Sequence, residues 1–140
     1  MNQEKQTKID KLYLRMAFIW SENSHANRRK VGALIVKDRM IISDGYNGTP
    51  SGFDNVCEDE NNVTKPCVLH AEANAITKLA KYGNRSYRAT IYITDEPCLE
   101  CSKLIIQSGI KRVVYCRDYR LHDGLELLKQ AKIKVDKIEI

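Results

Sequence analysis

Two short segments, His70-Ala71-Glu72 and Pro97-Cys98-Leu99-Glu100-Cys101, constrain this chain more than anything else in it. One imidazole and two thiolates are three of the four ligands that a tetrahedral zinc takes. A fold that uses them must bring the start of one segment against the start of the other. Leu69 to Tyr82 carries Ala71, Ala73, Ala75, Ile76, Leu79 and Ala80 at helical spacing and stops near Gly83. Cys98 to Gln107 reads as a second helix, stopped by Gly109. Both ligand groups then fall in first turns, where free N–H groups and the positive end of the helix dipole favour thiolates. Pro97 fixes the entry into the second helix, and Cys98 and Cys101, three residues apart, share one of its faces.

Structural zinc sites close the shell with four protein ligands, whereas this pattern offers three. Glu72 stands two residues from the imidazole as a carboxylate that need not touch metal. The vacant fourth position suits water, which is the layout of a hydrolytic site. Zinc lowers the pKa of coordinated water from about 16 to about 7, and Glu72 is placed to take a proton from it. A C-x-x-C alone would suit a structural zinc equally well. Joined to Pro97 and to an upstream His-Ala-Glu on its own helix, it gives the H-x-E…P-C-x-x-C pattern that marks zinc nucleobase deaminases. In that chemistry Glu72 passes its proton to the ring nitrogen and later to the departing ammonia.

The rest of the composition is compatible with such a site. The 140 residues suit a single domain, 1–140, and 43% hydrophobic residues argue against disorder. No apolar run approaches the roughly 20 residues of a membrane span, and the first residues lack an apolar signal core, so the chain is expected in the cytoplasm. Five cysteines, an odd number, fit a reducing compartment. The net charge of +5 suits an anionic ligand, but 23 basic against 18 acidic residues does not demand nucleic acid.

Ile9 to Trp20 carries a helical stripe. Val31 to Val36 and Met40 to Tyr46 read as a hairpin turning at Lys37-Asp38-Arg39, and Asn47 to Lys65 as one long loop. Thr90 to Thr94, Arg112 to Cys116 and Ile133 to Ile138 read as strands, and Gly124 to Ala131 as a helix. The order α-β-β-α-β-α-β-α-β predicts an α/β chain with a mixed sheet covered on both faces.

From about Leu12 to Lys134 the sequence resembles the deoxycytidylate (dCMP) deaminases. The likeness rests on Val31-Gly32-Ala33-Leu34-Ile35-Val36, Gly45-Tyr46-Asn47-Gly48-Thr49-Pro50, His70-Ala71-Glu72-Ala73-Asn74-Ala75-Ile76 and Ser102-Lys103-Leu104-Ile105-Ile106-Gln107-Ser108-Gly109-Ile110. It implies a three-layer, cytidine-deaminase-like α/β/α sandwich with a mixed five-stranded sheet. It also implies zinc on His70, Cys98 and Cys101, Glu72 as proton shuttle, and dCMP converted to dUMP for thymidylate synthesis. Asn47 matches the residue that touches the sugar, Asn74 sets this group apart from its relatives, and Arg28, Tyr119 and Arg120 match phosphate-binding positions. Many members are homo-oligomers, often hexamers, controlled by dCTP and dTTP.

Other readings stay open at several residues. Each basic residue is as readily a solvated charge, and Asn47 suits a turn because Asn tolerates positive φ. Asn74 points at the site or merely faces solvent, and Tyr46 and Phe53 wall the base or pack the core. Cys57 and Cys67 read as free thiols rather than a second zinc site, for which His25 and His122 lie far off in sequence. Cys116 reads as a small buried hydrophobe. The acidic run Asp54, Glu58, Asp59 and Glu60 is a solvated loop or a seat for Mg2+ beside a regulatory nucleotide. The rival functions are a tRNA adenosine deaminase, which needs a basic surface for RNA, and a zinc-stabilised binding module.

Overall fold

A computed structural model describes residues 2–140. Its elements are α1 (Gln3–Ser21), β1 (Gly32–Lys37), β2 (Met40–Tyr46), α2 (Ala71–Lys81), β3 (Thr90–Asp95), α3 (Leu99–Gln107), β4 (Arg112–Arg117), α4 (Asp123–Gln130) and β5 (Lys134–Lys137). The sheet order is β2-β1-β3-β4-β5. β1 runs antiparallel to both β2 and β3, while β3, β4 and β5 are parallel. This is the mixed five-stranded sheet that the order of elements predicts.

Side-chain alternation along the strands assigns the layers. Ala33 and Ile35 of β1, Ile91 and Ile93 of β3, and Val113 of β4 share one core with Ala71, Ala75 and Leu79 of α2, Ile105 of α3 and Leu128 of α4. The intervening residues Leu34, Val36, Tyr92 and Val114 meet Leu14 and Ala17 of α1 on the other face. Three helices cover one side and one long helix the other. Cys116 packs partly buried at the margin of the α1 core.

α1 starts six residues ahead of the apolar stripe. Gln3 to Lys8 are polar, so periodicity does not show them, but the Asn2 side chain accepts the Lys5 N–H at 2.8 Å and caps the first turn. The hairpin turns through Asp38 and Arg39, both left-handed at φ 51° and 63°, as a tight two-residue connection requires.

A buried ionic knot ties α1 to the sheet. Asp10 accepts both terminal nitrogens of Arg112 at 2.9 and 2.8 Å and the Tyr92 hydroxyl at 2.7 Å. Arg112 Nε also donates to Asp136 at 2.9 Å. Burial works against the Asp10 charge, yet these donors hold its carboxyl below the usual range, and burial together with Asp10 pushes the Tyr92 hydroxyl up.

Gly45 lets α2 lie directly on β2. A Cβ there would stand 2.5 Å from the Ala71 carbonyl oxygen and 2.7 Å from the Ala75 nitrogen, both backbone atoms. Gly45→Ala is therefore expected to destabilise the fold by about 3 kcal/mol, read from urea unfolding, because the helix as a unit must retreat. A loss under about 0.5 kcal/mol would mean that the two elements are less tightly apposed. Among the described residues no helix is long and apolar enough to cross a membrane.

Candidate active site

Parallel β3 and β4 end on the same edge of the sheet, and antiparallel β1 begins there. The end of β2 and the starts of α2 and α3 complete that edge, which holds a cleft of about 500 Å³. Ligands gather at strand ends in open α/β sheets for this topological reason.

His70 is the N-cap of α2, and its ring makes no capping bond. Cys98 is the N-cap of α3, its sulfur accepting the Cys101 N–H at 3.5 Å. The two helix starts face each other, and His70 Nδ1 lies 3.5 Å from Cys98 Sγ and 3.4 Å from Cys101 Sγ. A tetrahedral zinc with ordinary Zn–N and Zn–S bonds separates such atoms by about 3.6 Å. One imidazole and two sulfurs at this spacing fit zinc. Among the described residues this is the one His, Cys, Asp and Glu cluster with donor atoms close enough to share an ion.

The sulfurs are electrostatically unequal. A hydrogen bond from Cys101 outweighs burial and, with help from His70, brings the Cys98 thiol down to about 4. The same shared bond, together with burial, pushes Cys101 up. His70 is raised by its hydrogen bond to Cys98.

Glu72 lines the cleft from the first turn of α2 and is 4% exposed. Desolvation pushes its carboxyl up to about 7, against the pull of its own backbone N–H and of His70. A carboxyl tuned near neutrality both takes and returns a proton without a large penalty.

Asn47 lines the cleft, but positive φ is not its reason for being there, since its backbone is not left-handed. Instead Asn47 Oδ1 accepts the Val31 N–H at 2.9 Å, and Nδ2 donates to the Arg29 carbonyl at 2.8 Å. Asn74 lies one layer back. Its amide donates to the Tyr46 carbonyl at 2.8 Å, next to Asn47, and it is not among the cleft-lining residues. Phe53 is 61% exposed, and neither it nor Tyr46 lines the cleft.

Of the cations at this edge, two are committed. Arg29 pairs with Asp95, and Arg117 donates to Asp95 Oδ1 at 2.6 Å and to the Lys30 carbonyl at 3.1 Å. Arg28 and Arg120 line the cleft and, among the described residues, are paired with no carboxylate. Tyr119 lines it too, with the Arg120 guanidinium 5.8 Å from its ring.

Sequence reasoning passes over two carboxylates here, Asp95 and Glu96, and reads a third, Glu58, as a solvated loop acid or part of a seat for Mg2+, which its burial corrects. Glu58, in the long loop, is buried and accepts the N–H groups of Asn27 at 3.0 Å and Arg28 at 3.2 Å. Glu96 is buried and accepts the Tyr119 N–H at 3.2 Å and His122 Nδ1 at 2.8 Å. Asp95 is the clamp just described. The available signal was the position of Asp95-Glu96, at a strand end directly before Pro97-Cys98. Of the remaining loop acids, Asp59 caps Asn61 and Val63 at 2.8 and 3.0 Å, and Asp54 caps Val56 at 3.0 Å.

Comparison with known proteins converges on one group. Residues 7–117 match the family described as the cytidine and deoxycytidylate deaminase zinc-binding region. ComE operon protein 2 of Bacillus subtilis is 38% identical over 133 residues, spanning 91% of this chain and 70% of that one. Deoxycytidylate deaminase of Mycobacterium phage D29 is 38% identical over 125 residues, spanning 78% of this chain and 94% of its own. The dCMP deaminase of cyanophage S-TIM5, solved in complex with dCMP and dUMP, superposes with a TM-score of 0.91 at 42% identity over 99% of both chains. With its three zinc donors, its buried glutamate and its five-stranded sheet in place, the chain belongs to the cytidine and deoxycytidylate deaminase family.

Proposed function

We propose that this protein deaminates dCMP to dUMP and ammonia, with His70, Cys98 and Cys101 holding one catalytic zinc. The observation that carries this reading is a buried carboxyl, Glu72, beside a three-donor metal cluster in a cleft whose two uncommitted cations are Arg28 and Arg120. Relatives that act on this nucleotide support it. Zinc bound there supplies a Lewis acid that makes water nucleophilic near neutral pH. Glu72 takes a proton from the attacking water and passes it to N3 of the ring. The C4–O bond forms, the C4–N bond breaks, and a second proton carried by Glu72 leaves with ammonia.

Asn47 keeps one amide hydrogen and one lone pair free of its backbone bonds, and these meet the sugar. Asn74 acts through Asn47, by fixing the end of β2. Arg28, Tyr119 and Arg120 hold the 5′-phosphate. Arg120→Ala or Arg28→Ala is expected to raise KM for dCMP about 10- to 100-fold while leaving deoxycytidine nearly unchanged, as for loss of a charge-assisted hydrogen bond. Parallel steady-state assays on both substrates measure this, and equal losses would remove these residues from the phosphate site.

Glu96 positions that grip, since it pins the segment bearing Tyr119 and Arg120 to the strand end ahead of Cys98. Glu96→Gln is expected to raise KM for dCMP roughly tenfold and change kcat less, given the 1–3 kcal/mol cost of disturbing buried acceptors. A fall confined to kcat would place Glu96 in the chemistry instead.

The thiol ligands suit a reducing cytoplasm. Self-association, as the family resemblance implies, would cover Leu12, Met16 and Ile19, exposed by 47, 43 and 64% along one stripe of α1. Sedimentation velocity distinguishes a hexamer from smaller states.

A further inference from the structure

Five carboxylates are buried among the described residues: Asp10, Glu58, Glu72, Asp95 and Glu96. Burying an anion is costly unless a cation or several donors meet it. Asp10 has Arg112, Asp95 has Arg29 and Arg117, and Glu96 has His122. Among the described residues Glu58 and Glu72 have no cationic partner, and both line the cleft. The proton path accounts for Glu72. It does not account for Glu58.

One oxygen of that carboxylate is occupied and the other is not. Oε2 accepts the N–H groups of Asn27 at 3.0 Å and Arg28 at 3.2 Å, while among the described residues no donor meets Oε1. The one sealed side-chain polar atom without a partner is Ser102 Oγ, so Glu58 Oε1 opens on the cleft instead of being entombed.

The surrounding loop holds this acceptor still. Glu58 forms an antiparallel bridge with Thr64, the Lys65 N–H donates to the Cys57 carbonyl at 2.8 Å, and the Asp59 N–H to the Val63 carbonyl at 2.8 Å. Cys57, 2% exposed, anchors the chain just ahead of it. Glu58 also grips the stretch that Asn47 grips: the carboxylate takes Asn27 and Arg28, and the amide takes Arg29 and Val31. The two side chains therefore reach the cleft beside one short segment. A fixed acceptor costs little further ordering when a ligand arrives.

In the function proposed above, the base lies at the metal donors and Glu72, and the 5′-phosphate at Arg28 and Arg120. The sugar then spans the distance between them, beside Asn47. Two groups of dCMP donate hydrogen bonds, the amino group on the ring and the 3′-hydroxyl. The amino group is the one released at the metal end. A carboxylate accepts and does not donate, so the 3′-hydroxyl is the donor left to meet it. We propose that Glu58 Oε1 accepts the 3′-hydroxyl of the nucleotide sugar, so that the cleft takes nucleotides with a free 3′ end and refuses those carrying a 3′-phosphate. This rests on the proposed function and adds a requirement at the sugar. A 3′-phosphate exchanges the donor for an anion set against a carboxylate, and like charges in a partly desolvated site repel strongly.

The test compares kcat/KM on the zinc-loaded protein for three compounds. They are dCMP, 2′,3′-dideoxycytidine 5′-monophosphate, which lacks the hydroxyl, and 2′-deoxycytidine 3′,5′-bisphosphate. The wild-type protein is expected to lose about 10- to 100-fold on the dideoxy compound, as for a lost hydrogen bond to a charged group. On the bisphosphate it is expected to lose about 100-fold or more, because repulsion is added to that loss. Glu58→Gln keeps a carbonyl oxygen for Asn27 and Arg28 and turns an amide N–H to the cleft, so the bisphosphate gap should narrow by about tenfold or more. A residue that merely braces the loop would lower all three substrates together, and unchanged ratios in Glu58→Gln would overturn the inference. Should that variant melt early, Glu58→Ala is read in the same way, since it too removes the charge. A wild-type protein that handles the three compounds alike also overturns it, and, since dCMP is still deaminated in that case, the substrate reading stands. Absence of dCMP turnover would overturn both.

Discussion

Glu72→Gln is expected to keep one zinc per chain and lower kcat for dCMP by about 10³- to 10⁴-fold, the upper part of the range for a lost acid–base group. The amide matches the carboxylate in volume, so the core around Ala71, Ala73 and Ala75 stays filled, and His70, Cys98 and Cys101 keep their places. What disappears is the proton relay. Ammonia release and elemental analysis on one preparation measure both quantities. Turnover within tenfold of wild type with zinc retained would remove Glu72 from the proton path.

The same substitution has a signature in stability. Burial raises the Glu72 carboxyl to about 7 from the 4.5 of a solvated side chain, so the folded state binds its proton more tightly than the unfolded chain. Through Glu72 alone, metal-free protein then loses about 3 kcal/mol of stability as pH rises from about 4.5 to about 7. The amide introduced by Glu72→Gln does not titrate, so the variant lacks that loss. Urea unfolding of both metal-free proteins at pH 5 and pH 8 compares them, and parallel shifts would mean that Glu72 carries no desolvation penalty.

Asp10→Ala is expected to cost about 3–5 kcal/mol, the toll of breaking a buried pair rather than of losing its attraction alone. The Arg112 guanidinium, 13% exposed, would keep Asp136 but lose its bidentate partner, and the Tyr92 hydroxyl would lose its acceptor. Against a typical total of 5–15 kcal/mol this is a large share. Urea midpoints read it directly. The sign with pH is opposite to that of Glu72: donors hold Asp10 below its ordinary 3.8, so its contribution is present above that value and lost as pH falls through the folded pKa. Replacing both partners at once, Asp10→Leu with Arg112→Met, should recover much of the loss. A single substitution costing under 1 kcal/mol would show that solvent already reaches the knot.

Most of the architecture was legible because burial is periodic. β2 runs from Met40 to Tyr46 as the alternation predicts, and α2 and α3 begin within two residues of the expected starts. The metal cluster was equally plain, since its donors sit in two short runs whose spacing follows from helix geometry. The polar scaffolding was not. Glu58 caps Asn27 and Arg28 from some 30 positions away, and Glu96 reaches His122 from 26. Such bonds leave no periodic trace, because a carboxylate that satisfies a distant N–H looks in sequence like any loop acid. Asn74 reads as a candidate for the pocket wall for the same reason, and the structure places it behind Asn47 instead.

Asp95 rations positive charge at the mouth of the active cleft. By engaging Arg29 and Arg117 it leaves two guanidinium groups, those of Arg28 and Arg120, to meet an incoming ligand. On the proposed function, two forks would match one terminal phosphate monoester and leave too few contacts for a polymer's repeating backbone. A single acidic side chain at the end of β3 would thereby favour small mononucleotides over RNA stems, before the base reaches the metal.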